Sequence, residues 1–229
     1  MSSSFAPQRP LKTLPLQISD QIAQSIIDGA FGPGERLLET DLADSFQVSR
    51  STIREALRLL EQRGLVRIRP QRGAHVTQLS TKELDDLFEV RASLLATGSG
   101  LAAAYIGPKE AEVLRGLLKK MKASVGDANR YTALSGEMIE TIMKFSRNDV
   151  LAYYINDFAL RIGRYVRMGL LFEERRRASL KCWENLVEAL VRGDGDQAAK
   201  LHRELALSNR SAALEVFLSS QAGYPVKAK

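Results

Sequence analysis

Three arginines, Arg50, Arg54 and Arg58, recur at intervals of four residues in the N-terminal third of the chain. At this spacing their guanidinium groups share one face of a helix, a quarter turn or more away from its apolar face. A guanidinium can donate paired hydrogen bonds to a phosphate or to a guanine edge, so the pattern predicts a site for an anion. The alternative is a solvated helix surface whose arginines pair with nearby acids such as Glu55 and Glu61.

The positive charge of the chain is concentrated around this helix. Residues 50–72 contain seven arginines and two acids, whereas the whole chain of 229 residues has 33 basic and 27 acidic residues and a net charge of +6. A concentrated basic segment favours a polyanionic partner. In a helix-turn-helix protein the N-terminal end of the recognition helix enters the major groove, and here that end carries Ser49, Arg50, Thr52 and Arg54. We therefore predict that these residues contact DNA.

The elements around the basic helix complete a winged helix-turn-helix over residues 16–78. Apolar periodicity predicts a helix over 16–30 and a short helix over about 39–46. After Gly64 the hydrophobic period changes from 3.6 to 2, which predicts a basic two-stranded hairpin over residues 66–76. Two short helices, a longer third helix and the hairpin make up this domain.

The second half of the chain has a helical pattern throughout. We predict helices over 81–105, either continuous or broken near Gly98-Ser99-Gly100, and over 108–124, 129–146, 148–170, 173–192 and 194–221. The fold class is mainly α: an N-terminal winged helix-turn-helix plus a C-terminal six- or seven-helix bundle. We assign effector binding and dimerisation to residues 79–222, and we predict flexible tails at 1–15 and 223–229.

Several classes of protein are disfavoured by composition. No apolar run approaches the roughly 20 residues of a membrane helix, and the N-terminus lacks the apolar centre of a secretory signal, so we expect a cytoplasmic protein without a membrane partner. The single cysteine, Cys182, agrees with a reducing compartment. Neither His75 nor His202 has a visible nucleophile partner, and we expect no enzymatic activity and no cofactor.

Five short motifs occur in order within the winged domain. They are Gly29 to Leu37 (GAFGPGERL), Asp41 to Ala43 (DLA), Val48 to Leu57 (VSRSTIREAL), Gly64 to Val66 (GLV) and Arg72 to Ala74 (RGA). Together they resemble the GntR family of bacterial transcription regulators. The resemblance implies DNA contacts by Ser49, Arg50 and Arg54, with Gly73 at the wing tip near the minor groove. Arg36 and Arg72, which lie in matched motifs, complete the candidate set with Thr52. Where many members carry a DNA-contacting Arg in the second helix, this chain has Thr40.

The bundle also contains recognisable motifs. They are Leu87 to Arg91 (LFEVR), Ser146 to Asn148 (SRN), Glu188 to Leu190 (EAL) and Gly193-Asp194. They resemble the FadR-type C-terminal effector domain (FCD), in which an Asp and three His commonly hold a divalent metal beside a carboxylate effector. The resemblance places those four positions at Ser135, Ile139, Trp183 and Leu205. None of these is a competent ligand, so we predict no Zn, Ni or Mn in this domain.

Two interpretations of the altered positions stay open. Bulky side chains could fill the cavity as ordinary core, which would leave a DNA-binding protein without a ligand. Alternatively, the cavity is a remodelled pocket for an organic ligand whose acid group is held by an arginine. On this second interpretation the candidate effector-binding residues are Arg91, Ser135, Ile139, Arg161, Arg164, Trp183 and Leu205.

The leading functional hypothesis is a sequence-specific transcription regulator, more specifically a repressor. It would bind a palindromic operator in double-stranded DNA as a homodimer, and a small organic effector, such as a carboxylate, would modulate its affinity. One alternative is a ligand-independent DNA-binding protein with a filled bundle core. Another is a helical enzyme tethered to DNA, which would need a catalytic constellation that the sequence does not show.

Overall fold

The structure, a computed structural model, describes residues 12–221 and divides them into two compact units after Gln78. The sequence at 1–11 and the predicted tail at 223–229 lie outside the described residues. Leu14 and Pro15, which we expected in the N-terminal tail, instead form the first turn of a helix. Proline is well suited to a first turn because its missing N–H would have no partner there.

The first unit contains three helices and three short strands. These are α1 (Leu14–Asp28), β1 (Arg36–Leu37), α2 (Glu39–Phe46), α3 (Arg50–Gln62), β2 (Val66–Arg69) and β3 (Gly73–Val76). Helix α1 packs against α3 and buries Ile18, Ile22 and Ile26, the residues spaced four apart in the sequence. It ends at Gly29, whose φ of 87° is the left-handed conformation that glycine adopts without steric cost. The helical elements of the winged helix-turn-helix are therefore as predicted.

The wing is a three-stranded antiparallel sheet in the order β1-β3-β2, so the prediction of a two-stranded hairpin was incomplete. Arg36 of β1 pairs with His75 of β3, and Leu37 pairs with Ala74. The added strand has two residues, which is too short to show a period of two in the sequence. Its consequence is that the segment between α1 and α2 is hydrogen-bonded to the wing.

The second unit is a bundle of six helices. These are α4 (Thr81–Ala103), α5 (Pro108–Ala123), α6 (Ala128–Phe145), α7 (Asp149–Gly169), α8 (Glu173–Val191) and α9 (Gly195–Gln221). Of the two forms predicted for the first bundle helix, the continuous one is observed, because α4 runs through Gly98 without a break. A Cβ atom at Gly98 would collide with Met143, so the glycine serves close packing inside the helix. The mainly α fold class is confirmed.

The first and last helices of the bundle, α4 and α9, pack most extensively against each other. The main core of the bundle surrounds Leu95, Tyr131, Met138 and Trp183. A smaller cluster, built around Phe88 and including Tyr165 and Phe217, packs beside it. No helix among residues 12–221 combines the length and the apolar content needed to cross a membrane.

Candidate DNA interface and ligand cavity

Helix α3 has one buried and one exposed face. Ile53, Ala56, Leu57 and Leu60 are buried, whereas Arg50, Arg54 and Arg58 are exposed. Both patterns follow from the helical repeat. Because the apolar face docks on the rest of the unit, three guanidinium groups are presented to solvent.

The N-terminus of α3 is capped by Ser49. Its Oγ accepts a hydrogen bond from the backbone N–H of Thr52 at 3.2 Å and lies 2.7 Å from Ser51 Oγ and 2.8 Å from Thr52 Oγ1. The unpaired N–H groups and the helix dipole make this end attractive to anions. Two of the four predicted contacts at this end, Ser49 and Thr52, therefore also define the start of the helix.

Arg54 makes a two-point ion pair with Glu39, the first residue of α2. Arg54 Nε donates to Glu39 Oε1 at 3.1 Å, and Arg54 Nη2 donates to Oε2 at 2.7 Å. These hydrogen bonds hold the pKa of Glu39 below its usual range and raise the pKa of Arg54. Thr40, the departure from the family pattern, donates its hydroxyl to Asp41 at 2.9 Å instead of offering a cation.

The wing brings further cations together. Gly73 has a φ of 82°, and a Cβ atom there would lie 3.6 Å from Arg36 Nε, so the short β1 strand places Arg36 beside the wing tip. Arg72 is exposed in the preceding turn. His75 lies opposite both Arg36 and Arg67 in the sheet register. His75 was not among the residues predicted to contact DNA, and its place between two arginines follows from the register of the three strands.

A cavity of about 30 Å³, measured over the positions open to the centre of a water molecule, lies among the helices of the bundle. Helices α4, α6, α7, α8 and α9 contribute its wall. The lining residues are Arg91, Leu95, Ser135, Ile139, Val166, Leu170, Ser179, Trp183, His202, Leu205, Ala206 and Asn209. At roughly 10–15 Å³ for each water molecule, the cavity has room for about two to three.

Five of the seven effector residues expected from the sequence lie on this wall: Arg91, Ser135, Ile139, Trp183 and Leu205. The structure does not bring the other two to it. Arg161 forms an ion pair with Asp157, one helical turn earlier, at 3.4 Å. Arg164, three residues further along α7, also lies outside the lining. Among the three predicted arginines, only Arg91 faces the cavity.

Arg91 is buried without a counter-ion. Arg91 is only 6% exposed, and no acidic group among the described residues pairs with its guanidinium. Its Nε has no hydrogen-bond partner within the described part of the chain. Desolvation lowers the pKa of Arg91 to about 10, so the guanidinium remains charged at neutral pH. A buried, unpaired cation is costly, and an anionic ligand would offset that cost.

Three further polar residues of the wall were not predicted from the sequence: Ser179 of α8, and His202 and Asn209 of α9. His202 is fully buried, its Nδ1 lies 2.6 Å from Ser99 Oγ, and its ring packs edge-on against Trp183 with centroids 5.3 Å apart. Burial and, second, the charge of Arg91 lower the pKa of His202 to about 3. Asn209 donates its Nδ2 to the Val166 carbonyl at 3.3 Å. His202 and Asn209 lie on the α9 face of Leu205, at spacings of three and four, so helical periodicity could have found them.

The cavity wall does not fit a divalent metal. Of the four positions that the FCD resemblance assigns to metal ligands, three carry Ile139, Trp183 and Leu205, and the Ser135 hydroxyl donates to the Tyr131 carbonyl at 3.0 Å. No cluster of three His, Cys, Asp or Glu residues suited to a metal occurs within residues 12–219. The cationic Arg91 on the same wall would repel a metal ion.

Comparison with known proteins identifies both units. Residues 14–76 match the family described as bacterial regulatory proteins, gntR family, and residues 86–207 match the FCD domain. The chain is 33% identical over 173 residues to the uncharacterized HTH-type transcriptional regulator YdhC of Bacillus subtilis, covering 71% of this chain and 77% of YdhC. It is 28% identical to a probable D-xylose utilization operon transcriptional repressor of Paenarthrobacter nicotinovorans, covering 66% and 69% of the two chains.

A solved structure shares the fold. The structure of Escherichia coli McbR/YncC superposes with a TM-score of 0.80 at 20% identity, and the match covers 90% of this chain and all of that one. The chain therefore belongs to the GntR family of bacterial regulatory proteins and carries an FCD domain. It is a transcriptional regulator with a DNA-binding helix-turn-helix domain, and it is not an enzyme. The family assignment made from the sequence motifs is confirmed.

Proposed function

We propose that this regulator is a cytoplasmic repressor that binds a palindromic DNA operator as a homodimer and releases it when a small organic carboxylate enters the bundle cavity. The observation that carries the ligand half of this proposal is the buried, unpaired guanidinium of Arg91 on the cavity wall. A carboxylate suits this group, because the two have opposite charges and can form paired hydrogen bonds.

The DNA half rests on the two basic surfaces of the first unit. Ser49, Arg50, Thr52 and Arg54 at the start of α3 are the proposed major-groove contacts. Arg36, Arg72 and Gly73 are the proposed contacts of the wing. A dimer with twofold symmetry would read the two halves of a palindrome, and the word repressor in the name of the Paenarthrobacter relative supports the direction of regulation.

Ligand-independent DNA binding is the second candidate function. The observation that favours it is the small volume of the cavity, about 30 Å³ over the positions open to the centre of a water molecule. The two candidates differ in one property, which is whether any small acid stabilises the bundle and weakens operator binding.

A thermal-shift screen against carboxylates, amino acids and divalent metals, followed by operator titration, separates these candidates. A ligand at about one hundred times its dissociation constant stabilises the folded state by about 2.7 kcal/mol, which is readily measured. We expect a shift with a small acid, no shift with metals, and weaker operator binding in the presence of that acid. Arg91→Met should abolish both responses, and Arg161→Met, outside the cavity, should retain them. If no compound in the library shifts the melting temperature and operator binding is intact, the result favours the ligand-independent function.

A further inference from the structure

The guanidinium of Arg54 is held along one edge by Glu39, the first residue of α2. Its Nε donates to Glu39 Oε1 at 3.1 Å, and its Nη2 donates to Oε2 at 2.7 Å. We infer that Glu39 is a positioning residue, which orients Arg54 for the recognition of a single guanine in the major groove. This inference rests on the proposed function, in which Arg54 contacts DNA, and it specifies how Arg54 distinguishes bases.

The ion pair leaves the opposite edge of the guanidinium open. Glu39 uses the N–H of Nε and one N–H of Nη2. The other N–H of Nη2 and both N–H groups of Nη1 have no acceptor within residues 12–219. Two donors side by side match O6 and N7 of guanine, which are both acceptors, whereas adenine presents one acceptor and one donor. The open edge of Arg54 therefore favours guanine over adenine.

The orientation of Arg54 depends on this contact because little else restrains the side chain. The Arg54 side chain is 55% exposed, and a long exposed side chain samples many rotamers. The Glu39 side chain is only 34% exposed and belongs to α2, which packs against α3 and buries Leu42 and Ala43. The carboxylate is thus attached to a docked helix, and a two-point pair restrains both the position and the plane of the guanidinium.

Arg54 differs in this respect from the other two arginines on its face. Arg50 and Arg58 have no hydrogen bond to a carboxylate among the described side chains, and Glu39 attracts Arg50 only through its charge. Removal of Glu39 should therefore change recognition at the base pair that Arg54 contacts, and not along the whole face of α3.

A structural role for the ion pair is the main alternative. Exposed ion pairs contribute little to stability, and the docking of α2 depends on buried apolar residues. We therefore expect Glu39→Ala and Glu39→Gln to fold with melting temperatures close to that of the wild-type protein. DNA binding can then be compared among folded proteins.

The carboxylate also repels DNA phosphates, so its removal has two opposite effects. Without Glu39, nonspecific affinity rises because a negative charge is lost, and operator affinity falls because Arg54 loses its fixed orientation. A residue with only a structural role would lower both affinities, and a residue with only an electrostatic role would raise both.

The test uses a duplex selected from a random library and a scrambled duplex of equal length. We expect Glu39→Ala to reduce the ratio of specific to nonspecific affinity about tenfold, since a bidentate contact with a base has about this effect on discrimination. Glu39→Gln should recover part of the ratio, because its amide oxygen still accepts a hydrogen bond from Arg54. Glu55→Ala removes an equal charge from the exposed surface of α3 and is the matched control, with an unchanged ratio.

A double-mutant cycle shows whether Glu39 acts through Arg54. Arg54→Lys keeps the charge but loses the planar pair of donors, so we expect it to lower the ratio about tenfold by itself. Glu39→Ala should then have no further effect on the ratio in the Arg54→Lys background. On single-base-pair variants of the selected duplex, both single mutants should lose their preference at the same G·C pair.

The outcomes separate this inference from the proposed function. An unchanged ratio in Glu39→Ala overturns the inference, and so does a decrease that is equally large in the wild-type and Arg54→Lys backgrounds. If Glu39→Ala loses affinity for both duplexes and its melting temperature also falls, Glu39 has a structural role and the inference is wrong. A wild-type protein that selects no duplex overturns the proposed DNA recognition itself.

Discussion

Two buried arginines of the bundle differ in their hydrogen bonding. Arg176, only 3% exposed, donates from Nε to the Val125 carbonyl at 2.6 Å and from Nη1 to the carbonyls of Leu170 and Leu171 at 2.9 and 2.6 Å. Arg91 has no such partners within residues 12–219. Arg176 therefore connects loop carbonyls to α8, whereas Arg91 keeps its hydrogen-bonding capacity for a ligand.

Replacing Arg176 should destabilise the bundle. In Arg176→Met the three carbonyls lose their donor in a buried place, and we expect the free energy of unfolding to fall by about 3 kcal/mol. The neighbouring Arg177→Met is the control: its partner is the exposed Glu173, one turn away, and its loss should change stability by less than about 0.5 kcal/mol. Urea denaturation of both variants measures the difference, and equal effects would contradict the structural role of Arg176.

Replacing Arg91 should have the opposite effect on stability. Arg91→Met removes an uncompensated buried charge and keeps an unbranched apolar chain, so we expect the ligand-free protein to gain about 1–3 kcal/mol. Thermal and urea denaturation without added acids provide the measurement. A loss of stability would mean that Arg91 holds the bundle together, and it would argue against its place in a ligand site.

At the scale of elements, a helix or strand can be predicted from the sequence when its own residues determine it, and not when a distant segment does. The course of α3 follows from its own residues: Ser49 caps it and its apolar spacing selects one face. Strand β1 could not be predicted, because two residues become a strand only when β3 lies alongside. The pairing of Arg54 with Glu39 joins residues 15 apart through the turn between α2 and α3, and sequence patterns do not fix such side-chain contacts.

The helices of the bundle could be predicted because their periodicity is local. The residues of its cavity could be predicted only in part. Helical periodicity and the family motifs identified the cavity positions Arg91, Trp183 and Leu205. They did not identify the contact of Ser99 with His202, which joins helices α4 and α9 across 103 residues. That contact depends on how two whole helices pack.

Helix α3 and the wing should differ in how they affect DNA binding. If Arg50 contacts a guanine, Arg50→Ala should cost about 1–3 kcal/mol at one base pair and relax the preference there. Arg72→Ala in the wing should weaken binding to all duplexes by a similar factor and reduce the salt dependence. Anisotropy titrations on a set of single-base-pair variants distinguish these patterns. A uniform loss in Arg50→Ala would make Arg50 a phosphate contact.

At the scale of the whole molecule, the buried histidine connects stability to pH. The pKa of His202 is about 3 in the folded protein, compared with an ordinary value of 6.5. Between these values the unfolded chain takes up a proton that the folded chain does not, so acidification favours unfolding. The contribution of the neutral His202 to the free energy of unfolding is complete above pH 6.5. It declines as the pH falls, by at most about 1.4 kcal/mol for each pH unit.

We therefore expect the protein to lose about 2 kcal/mol of stability between pH 7 and pH 5 beyond the loss in His202→Gln. Glutamine does not titrate, so the difference between the two proteins isolates the histidine. Urea denaturation at intervals of half a pH unit gives the two curves. Parallel curves would show that His202 takes up its proton in the folded state as readily as in the unfolded chain.

The packing of α4 against α9 affects the order in which the chain can fold during its synthesis. The first unit contains all of its own strands and helices before residue 79, so it can fold while the rest of the chain is still being made. The bundle is different, because its first helix has its most extensive partner in its last helix. Until α9 leaves the ribosome, α4 exposes the apolar surface that α9 will cover. A nascent regulator therefore acquires its DNA-binding domain before it acquires the domain that is proposed to control it.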